Sequence, residues 1–388
     1  MKYIDEVTIT HKTILLRVDY NVSLNPAHHI TNDERIKQTL PTIQYLLKQH
    51  NSLILLSHLG SPKGVDPALS LTEVAKRLQT LLPTHKVVLV KDFKSLSREK
   101  TRKSNLNEIF LLENIRFHKG EQNNDEAFAH ELATMGDVYV NDAFSVSHRK
   151  AASIVSLPTL LPAYGGLLLK KEVNALTQIL DQPKKPFVAL LGGAKISTKM
   201  QLLERIITLA DEVLLGGGIA NTFLLAKGKE IGASLSEPTE KKVALHLLSL
   251  AEKSNTTILL PVDVIVGDKL GRHTEEKSLQ DIKSTDQIFD IGTQSQALFG
   301  SALAHAKTIL WNGPFGMIEV AAYKRGTDFI YYAIAENKTA ISVVGGGETL
   351  SALTNKDHLE RITHISTGGG AMLAYIENGT LPGIAALQ

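Results

Sequence analysis

The 388-residue chain contains no cysteine. Disulfides, thiolate zinc sites and cysteine nucleophiles are therefore excluded. No apolar run comes near the ~18 residues that a membrane-spanning helix needs, so no membrane partner is expected. The opening MKYIDEVTIT has neither an apolar core nor a small-residue cleavage site, and a secretory signal is not expected. Nor is there an excess of one charge. Lys and Arg total 42 against 40 Asp and Glu, a formal charge of +2, whereas a dedicated nucleic-acid binder carries a basic surplus. A cytoplasmic protein without a nucleic-acid partner is the resulting expectation. Two common motifs are also missing. Without GxxxxGK[ST] the chain is not a P-loop NTPase, and without GxGxxG a dinucleotide-binding reading is weakened.

What is present reads as an ordinary globular composition, 43% hydrophobic and 21% charged. The length predicts two or three domains. Short apolar, β-branched runs end in polar loops: 14–18, 53–57, 87–90, 109–112 and 138–140 in the first half, then 188–191, 213–215, 257–260, 288–291, 308–311, 341–344 and 362–365. Near-continuous apolar strands imply parallel sheets buried on both faces. Helical patterns at 35–49, 71–82, 198–210 and 239–253 lie between them. Alternation of this kind predicts an α/β chain of two doubly wound (Rossmann-like) parallel-sheet domains. A helix-like stretch at 167–180, between Gly165-Gly166 and Pro183, is the expected hinge helix. The resulting boundaries are 1–166, 167–182 and 183–373, followed by a C-terminal segment, 374–388.

Glycine and histidine divide unevenly. Only four of 28 glycines precede residue 165, while nine of 14 histidines precede residue 150. Different ligands for the two halves follow: side-chain cations for one, glycine backbone for the other. In open α/β sheets, ligands bind beyond the carboxyl ends of the strands. Those ends carry Arg17, Asp19 and Asn21, then His58 and Gly60, then Arg116, then Asp142, His148 and Arg149; Arg35 stands at a predicted helix start. Guanidinium forks suit carboxylates and phosphates. Each residue also has a plainer reading: Asp19 as a helix cap, Asp142 as the partner of an arginine, a lone Arg or His as a solvated group.

The second half offers LLGGAKISTK, in which Lys195 and Lys199 are expected to share a helix face and to face a glycine turn. They are either phosphate-holding or solvated. Gly216-Gly217-Gly218 would let a flat base lie on backbone. SVVGGGETL and ISTGGGAML each run from strand to glycine triplet to helix start, aiming N–H groups at an anion. Glu348 is either a magnesium carboxylate or a first-turn acid, and Glu319, after the single tryptophan, is a candidate for ribose hydroxyls.

RVDYNVSL, SHLG, LLENIRF, NDAFSVSHR, LLGGAKISTK, GGGIANTF, WNGPFG, VVGGGETL and STGGGA occur in this order. In these motifs, from about residue 14 to Gly383, the chain resembles the phosphoglycerate kinase family. The resemblance implies a two-lobed, monomeric, cytoplasmic enzyme with ATP/ADP and Mg²⁺. It would transfer a phosphoryl group between 1,3-bisphosphoglycerate and Mg-ADP, giving 3-phosphoglycerate and ATP. The N-terminal lobe would hold the triose, the C-terminal lobe the nucleotide, and the chain end would return to the first lobe. The implied triose set is Asp19, Tyr20, Asn21, Arg35, His58, Leu59, Gly60, Ser61, Arg116 and Arg149. The implied nucleotide set is Lys195, Lys199, Gly216, Gly217, Asn312, Glu319, Gly345, Gly346, Gly347, Glu348 and Thr349, with Glu348 on the metal. Arg35, Lys195, Lys199, Gly345, Gly368 and Gly369 would be catalytic, with Gly370 completing the loop that faces the phosphoryl group.

Four positions depart from the family pattern. Ser61 replaces an arginine, with Lys63 a candidate substitute; Glu348 replaces aspartate, Ser23 proline and Ala374 glutamate. Two rival readings remain: a Rossmann-type oxidoreductase, which nicotinamide binding would reveal, and a degenerate, non-catalytic family member, which a coupled assay would reveal.

Overall fold

A computed structural model of the chain describes residues 1–103, 107–353 and 355–388. It forms two compact units, Met1–Asn174 with Asn378–Gln388, and Ala175–Glu377. Among the described residues, no helix is long and apolar enough to cross a membrane.

In the first unit, β1 (Thr13–Arg17), β2 (Ser52–Leu56), β3 (Lys86–Val90), β4 (Glu108–Leu112), β5 (Val138–Asn141) and β6 (Ala163–Gly165) form one parallel sheet. Its order is β3-β4-β2-β1-β5-β6. All five residues of β1 and of β2 are buried, because helices cover both faces. The helix Glu34–Lys48 shows the matching pattern. It buries Ile36, Thr39, Ile43 and Leu46, a stripe at spacings of three and four. The strand order reverses around β1, so the residues after β1, β2 and β5 meet at one sheet edge.

The second unit contains β7 (Phe187–Leu191), β8 (Glu212–Leu215), β9 (Thr257–Leu259), β10 (Asp263–Gly267), β11 (Thr274–Ser278), β12 (Ile288–Ile291), β13 (Thr308–Asn312), β14 (Ile341–Gly345) and β15 (His364–Ser366). Six make a parallel sheet in the order β15-β14-β13-β7-β8-β9. The reversal falls between β7 and β13, so LLGGAK and WNGPFG emerge side by side. The run at 288–291 does not join this sheet. It pairs antiparallel in a separate three-stranded sheet, β11-β10-β12. An apolar run does not reveal strand direction. The run at 288–291 pairs with β10, whose other neighbour, β11 (Thr-Glu-Glu-Lys-Ser), is largely exposed and carries no hydrophobic signal.

The C-terminal residues Asn378–Gln388 pack within the first unit. Gly383 donates its N–H to the Ser147 carbonyl at 2.8 Å, and Asn141 donates to the Gly383 carbonyl at 3.3 Å.

The helix Leu167–Asp181 spans the division in the chain. Asp142 starts it, rather than pairing with an arginine. Its Oδ1 accepts from the N–H groups of Leu168 at 2.8 Å and Leu169 at 3.1 Å, while Thr42 Oγ1 accepts from Leu167 at 3.0 Å. These bonds satisfy donors that every helix start leaves free. Gly166 is glycine because a Cβ there would lie 2.2 Å from Asp142 Oδ1.

Burial pushes the Asp142 carboxyl up to about 6 from 3.8, against the hydrogen bonds that favour its charged form. A raised folded pKa contributes stability that is present below about pH 4 and lost as pH rises through about 6. Asp142→Asn keeps an acceptor for the two N–H groups and cannot ionise. Urea unfolding between pH 4 and 7.5 should show the wild type losing about 2 kcal/mol more than the variant across that interval. Parallel pH profiles would contradict the assignment.

Candidate active site

In the first unit the strand ends gather cations. Arg35 forms an ion pair with Asp19, which also accepts from the Ser145 hydroxyl and, at 2.9 Å, from the Asn21 N–H. Burial opposes ionisation of Asp19, but the charge of Arg35 and these hydrogen bonds outweigh it and hold the carboxyl below its usual range. His58 is 1% exposed. Burial, joined by the charges of Arg17, Arg116 and Arg35, holds its ring well below 6.5 against the pull of Asp19, so it is neutral at pH 7. Burial and then the charges of Arg17 and Arg149 bring Arg116 down to about 10, still a cation. Arg149 is exposed. His148 is half-buried, and its Nδ1 has no partner among the described residues.

Three sequence candidates are buried or have no side chain to offer. Tyr20 is fully buried, with its hydroxyl 3.1 Å from Thr39 Oγ1, and Leu59 belongs to the core. Gly60 takes a positive φ of 63°, where glycine is favoured, while Asn21 Oδ1 accepts its N–H at 2.8 Å and Arg116 donates to its carbonyl at 2.6 Å. Ser61 and Lys63 are both exposed.

Two contributors had weak sequence signals. Arg17 was visible only as a charged residue ending a buried strand, yet it is 1% exposed and lies 3.3 Å from His58 Nδ1. Asn114 fixes the SHLG loop by donating to the carbonyls of Leu59 at 2.7 Å and Leu69 at 2.9 Å. Its place in LLENIRF was the available clue.

The second unit encloses a cavity of about 710 Å³, within the 300–1,000 Å³ of small-molecule sites. Gly193, Gly217 and Gly218 form part of its wall, Ile288 and Phe289 supply apolar surface, and Glu319 and Glu348 also line it. Gly216 lies behind this wall, where a Cβ would meet the Phe315 ring at 2.5 Å. Lys199 Nζ donates to the Gly192 carbonyl at 2.8 Å and to Asn312 Oδ1 at 2.7 Å. Burial lowers its ammonium to about 8, against the pull of Glu348. Asn312 in turn donates to the Gly345 carbonyl at 3.0 Å, and so ties Lys199 to the glycine triplet.

Lys195 and Lys199 do not share a helix face. The helix begins only at Met200, and Lys195 is an exposed loop residue. The loop is clasped instead by Glu237, which accepts from the Ser197 N–H at 2.9 Å and hydroxyl at 2.6 Å.

Thr349 is fully buried and accepts from the Gly313 N–H at 2.7 Å, which braces the loop after β13. That loop also holds the single tryptophan: Trp311 is buried, and its indole N–H donates to the Gly313 carbonyl at 2.9 Å. Gly346 has a φ of 103°, and Gly347 and Glu348 are exposed at the start of the helix Gly347–Ala352. Gly368 commits its N–H to Ser366 Oγ at 3.1 Å, leaving Gly369 and Gly370 to open the helix Gly370–Asn378.

Among the described residues, no group of three or more His, Cys, Asp or Glu forms a metal cage. Mg²⁺ bound with phosphates needs only one or two protein carboxylates, and the exposed Glu348 on the cavity wall fits that requirement.

The sequence profile described as phosphoglycerate kinase matches residues 4–379. A phosphoglycerate kinase of Herpetosiphon aurantiacus is 42% identical over 388 residues, covering 99% of this chain and 98% of the relative. One from Helicobacter pylori is 42% identical over 386 residues, covering 98% and 95%. The solved structure of phosphoglycerate kinase from Coxiella burnetii matches with a TM-score of 0.92 at 38% identity, covering 99% of this chain and 98% of that one. That from Pyrococcus horikoshii gives 0.81 at 32%, covering 100% and 98%. Motif order, sheet topology and these likenesses agree: the chain belongs to the phosphoglycerate kinase family.

Proposed function

We propose that the two sites described above divide the reaction of this family between them. The chain is a phosphotransferase of glycolysis, reversibly transferring a phosphoryl group from 1,3-bisphosphoglycerate to ADP. In our reading, Asp19, Asn21, Arg35, His58, Arg116 and Arg149 hold the triose, with Tyr20, Leu59, Gly60 and Ser61 shaping the loops around it. The observation that carries this is the arginine cluster, which outnumbers its carboxylate partners at one sheet edge and favours a small, multiply charged anion. The cavity of the second unit, lined by Glu319 and Glu348, takes the nucleotide, with Glu319 at the ribose, Lys195, Lys199, Gly345–Gly347 and Glu348 at the phosphates, and the buried Thr349 bracing the loop beside them. Family likeness also supports a cytoplasmic monomer.

The chemistry asks little covalent work of the protein. A carboxylate nucleophile with a pKa of about 3.5–4 is already ionised at pH 7, so no general base is required. The requirement is in-line alignment and stabilisation of charge on the transferring group. Arg35 and Lys199 are the principal cationic side chains for this, and the backbone of Gly369 and Gly370 is the proposed neutral donor, the Gly368 N–H being held by Ser366. A magnesium ion held by Glu348 and the phosphates would supply charge neutralisation there.

Arg35→Ala should therefore lower kcat by ~10²–10³, or about 3–4 kcal/mol of barrier, with unchanged circular dichroism. Near-normal turnover in the coupled 3-phosphoglycerate assay would remove Arg35 from the mechanism. Lys199 gives a second test. At pH 8 its ammonium, lowered to about 8, is about half protonated, and bound phosphates pull it towards full protonation. Calorimetry of ADP binding in buffers of different ionisation enthalpy should report uptake approaching about half a proton at pH 8 and about a tenth at pH 7. Lys199→Met should abolish that uptake. Equal uptake in wild type and variant would mean that the ammonium does not meet the phosphates.

A further inference from the structure

The Arg17 guanidinium sits inside a chain of buried polar groups. Its Nε donates to Ser153 Oγ at 2.9 Å, its Nη1 donates to the Val18 carbonyl, and its Nη2 lies 3.3 Å from His58 Nδ1. The Ser153 hydroxyl passes its own hydrogen to Glu121 Oε1 at 2.6 Å, and the Ser153 N–H donates to Glu121 Oε2 at 2.9 Å. Ser153 is fully buried and Glu121 is 1% exposed. A buried guanidinium without a counter-charge is strongly unfavourable, and Glu121 supplies that charge through the serine.

The direction of each bond in this chain is fixed. A guanidinium has no acceptor and stays protonated, so in its contact with His58 the imidazole nitrogen must accept. Nδ1 then holds the lone pair, and the neutral ring carries its proton on Nε2. The competing partner is Asp19, whose Oδ1 lies 3.8 Å from the same Nδ1, beyond hydrogen-bond distance. A carboxylate bonded to Nδ1 would place the proton there and turn Nε2 into an acceptor. An acceptor facing an anion would be repulsive, whereas an N–H attracts it.

We propose that Glu121 and Ser153 are positioning residues for the three-carbon site. They hold Arg17 so that its guanidinium, rather than Asp19, sets the tautomer of His58 and leaves Nε2–H available as a donor. The proposal rests on the reading that His58 touches the three-carbon substrate.

Two-bond ¹H–¹⁵N spectra of the full chain labelled in histidine report the tautomer directly, without substrate. The wild type should show His58 protonated on Nε2. Ser153→Ala should shift it towards Nδ1–H and raise KM for 3-phosphoglycerate about tenfold, with KM for ATP unchanged. Ser153→Thr, which keeps the hydroxyl, should restore both. Glu121→Gln, which removes the charge and keeps the shape, should move the spectrum in the same direction as Ser153→Ala if the latter fails to fold. An Nδ1–H ring in the wild type, or a Ser153→Ala protein with unchanged tautomer and KM, would overturn the proposal. If His58→Gln leaves KM for 3-phosphoglycerate unmoved, the substrate reading fails instead, and the spectrum of the free protein still decides the network.

Discussion

Guanidinium groups gathered at one sheet edge repel one another, and this repulsion is the constraint on which the first unit depends. Burial and like charge bring Arg116 down to about 10, and the same neighbours keep His58 neutral. Two carboxylates anchor the cluster, Asp19 against Arg35 and Glu121 against Arg17 through Ser153. They neutralise part of the charge and leave the remainder for a ligand. A cluster that is under-neutralised when empty favours the anion that completes it, and binding to the folded form alone stabilises the fold by mass action.

The second unit uses charge sparingly and relies on close approach. Gly313, at a φ of 97°, brings its backbone so near Gly192 that a Cβ would lie 2.3 Å from the Gly192 carbonyl oxygen. The two loops that emerge where the strand order reverses therefore touch main chain to main chain. Lys199 is pinned across that junction by Asn312, so its ammonium stays in place without a carboxylate against it. Such preorganisation avoids reordering a flexible side chain during the reaction.

Much of this was legible in the sequence because parallel strands buried on both faces are apolar and their ends are not. Most strand positions, though not those of β6 and β10, follow from that contrast, as do the cationic edge and the glycine corners. Three features escaped it. Residues 288–291 pair antiparallel with β10, and an apolar run does not reveal strand direction; β11, on the far side of β10, is charged and carries no periodic signal. The separation of Lys195 from Lys199 depends on where the helix begins, and Glu237, some forty positions away, decides the loop between them. Arg17, Ser153 and Glu121 meet only in three dimensions, across 136 and 32 positions of chain. Asp142 was visible as a strand-end acid, but its role follows from the helix it starts 25 residues later.

The lone indole of the chain donates to the same glycine carbonyl turn that carries Asn312. Ultraviolet emission excited at the red edge of protein absorption therefore has one origin, fixed beside the lysine anchor. The molecule thus carries an intrinsic optical reporter within its second unit, with no label attached.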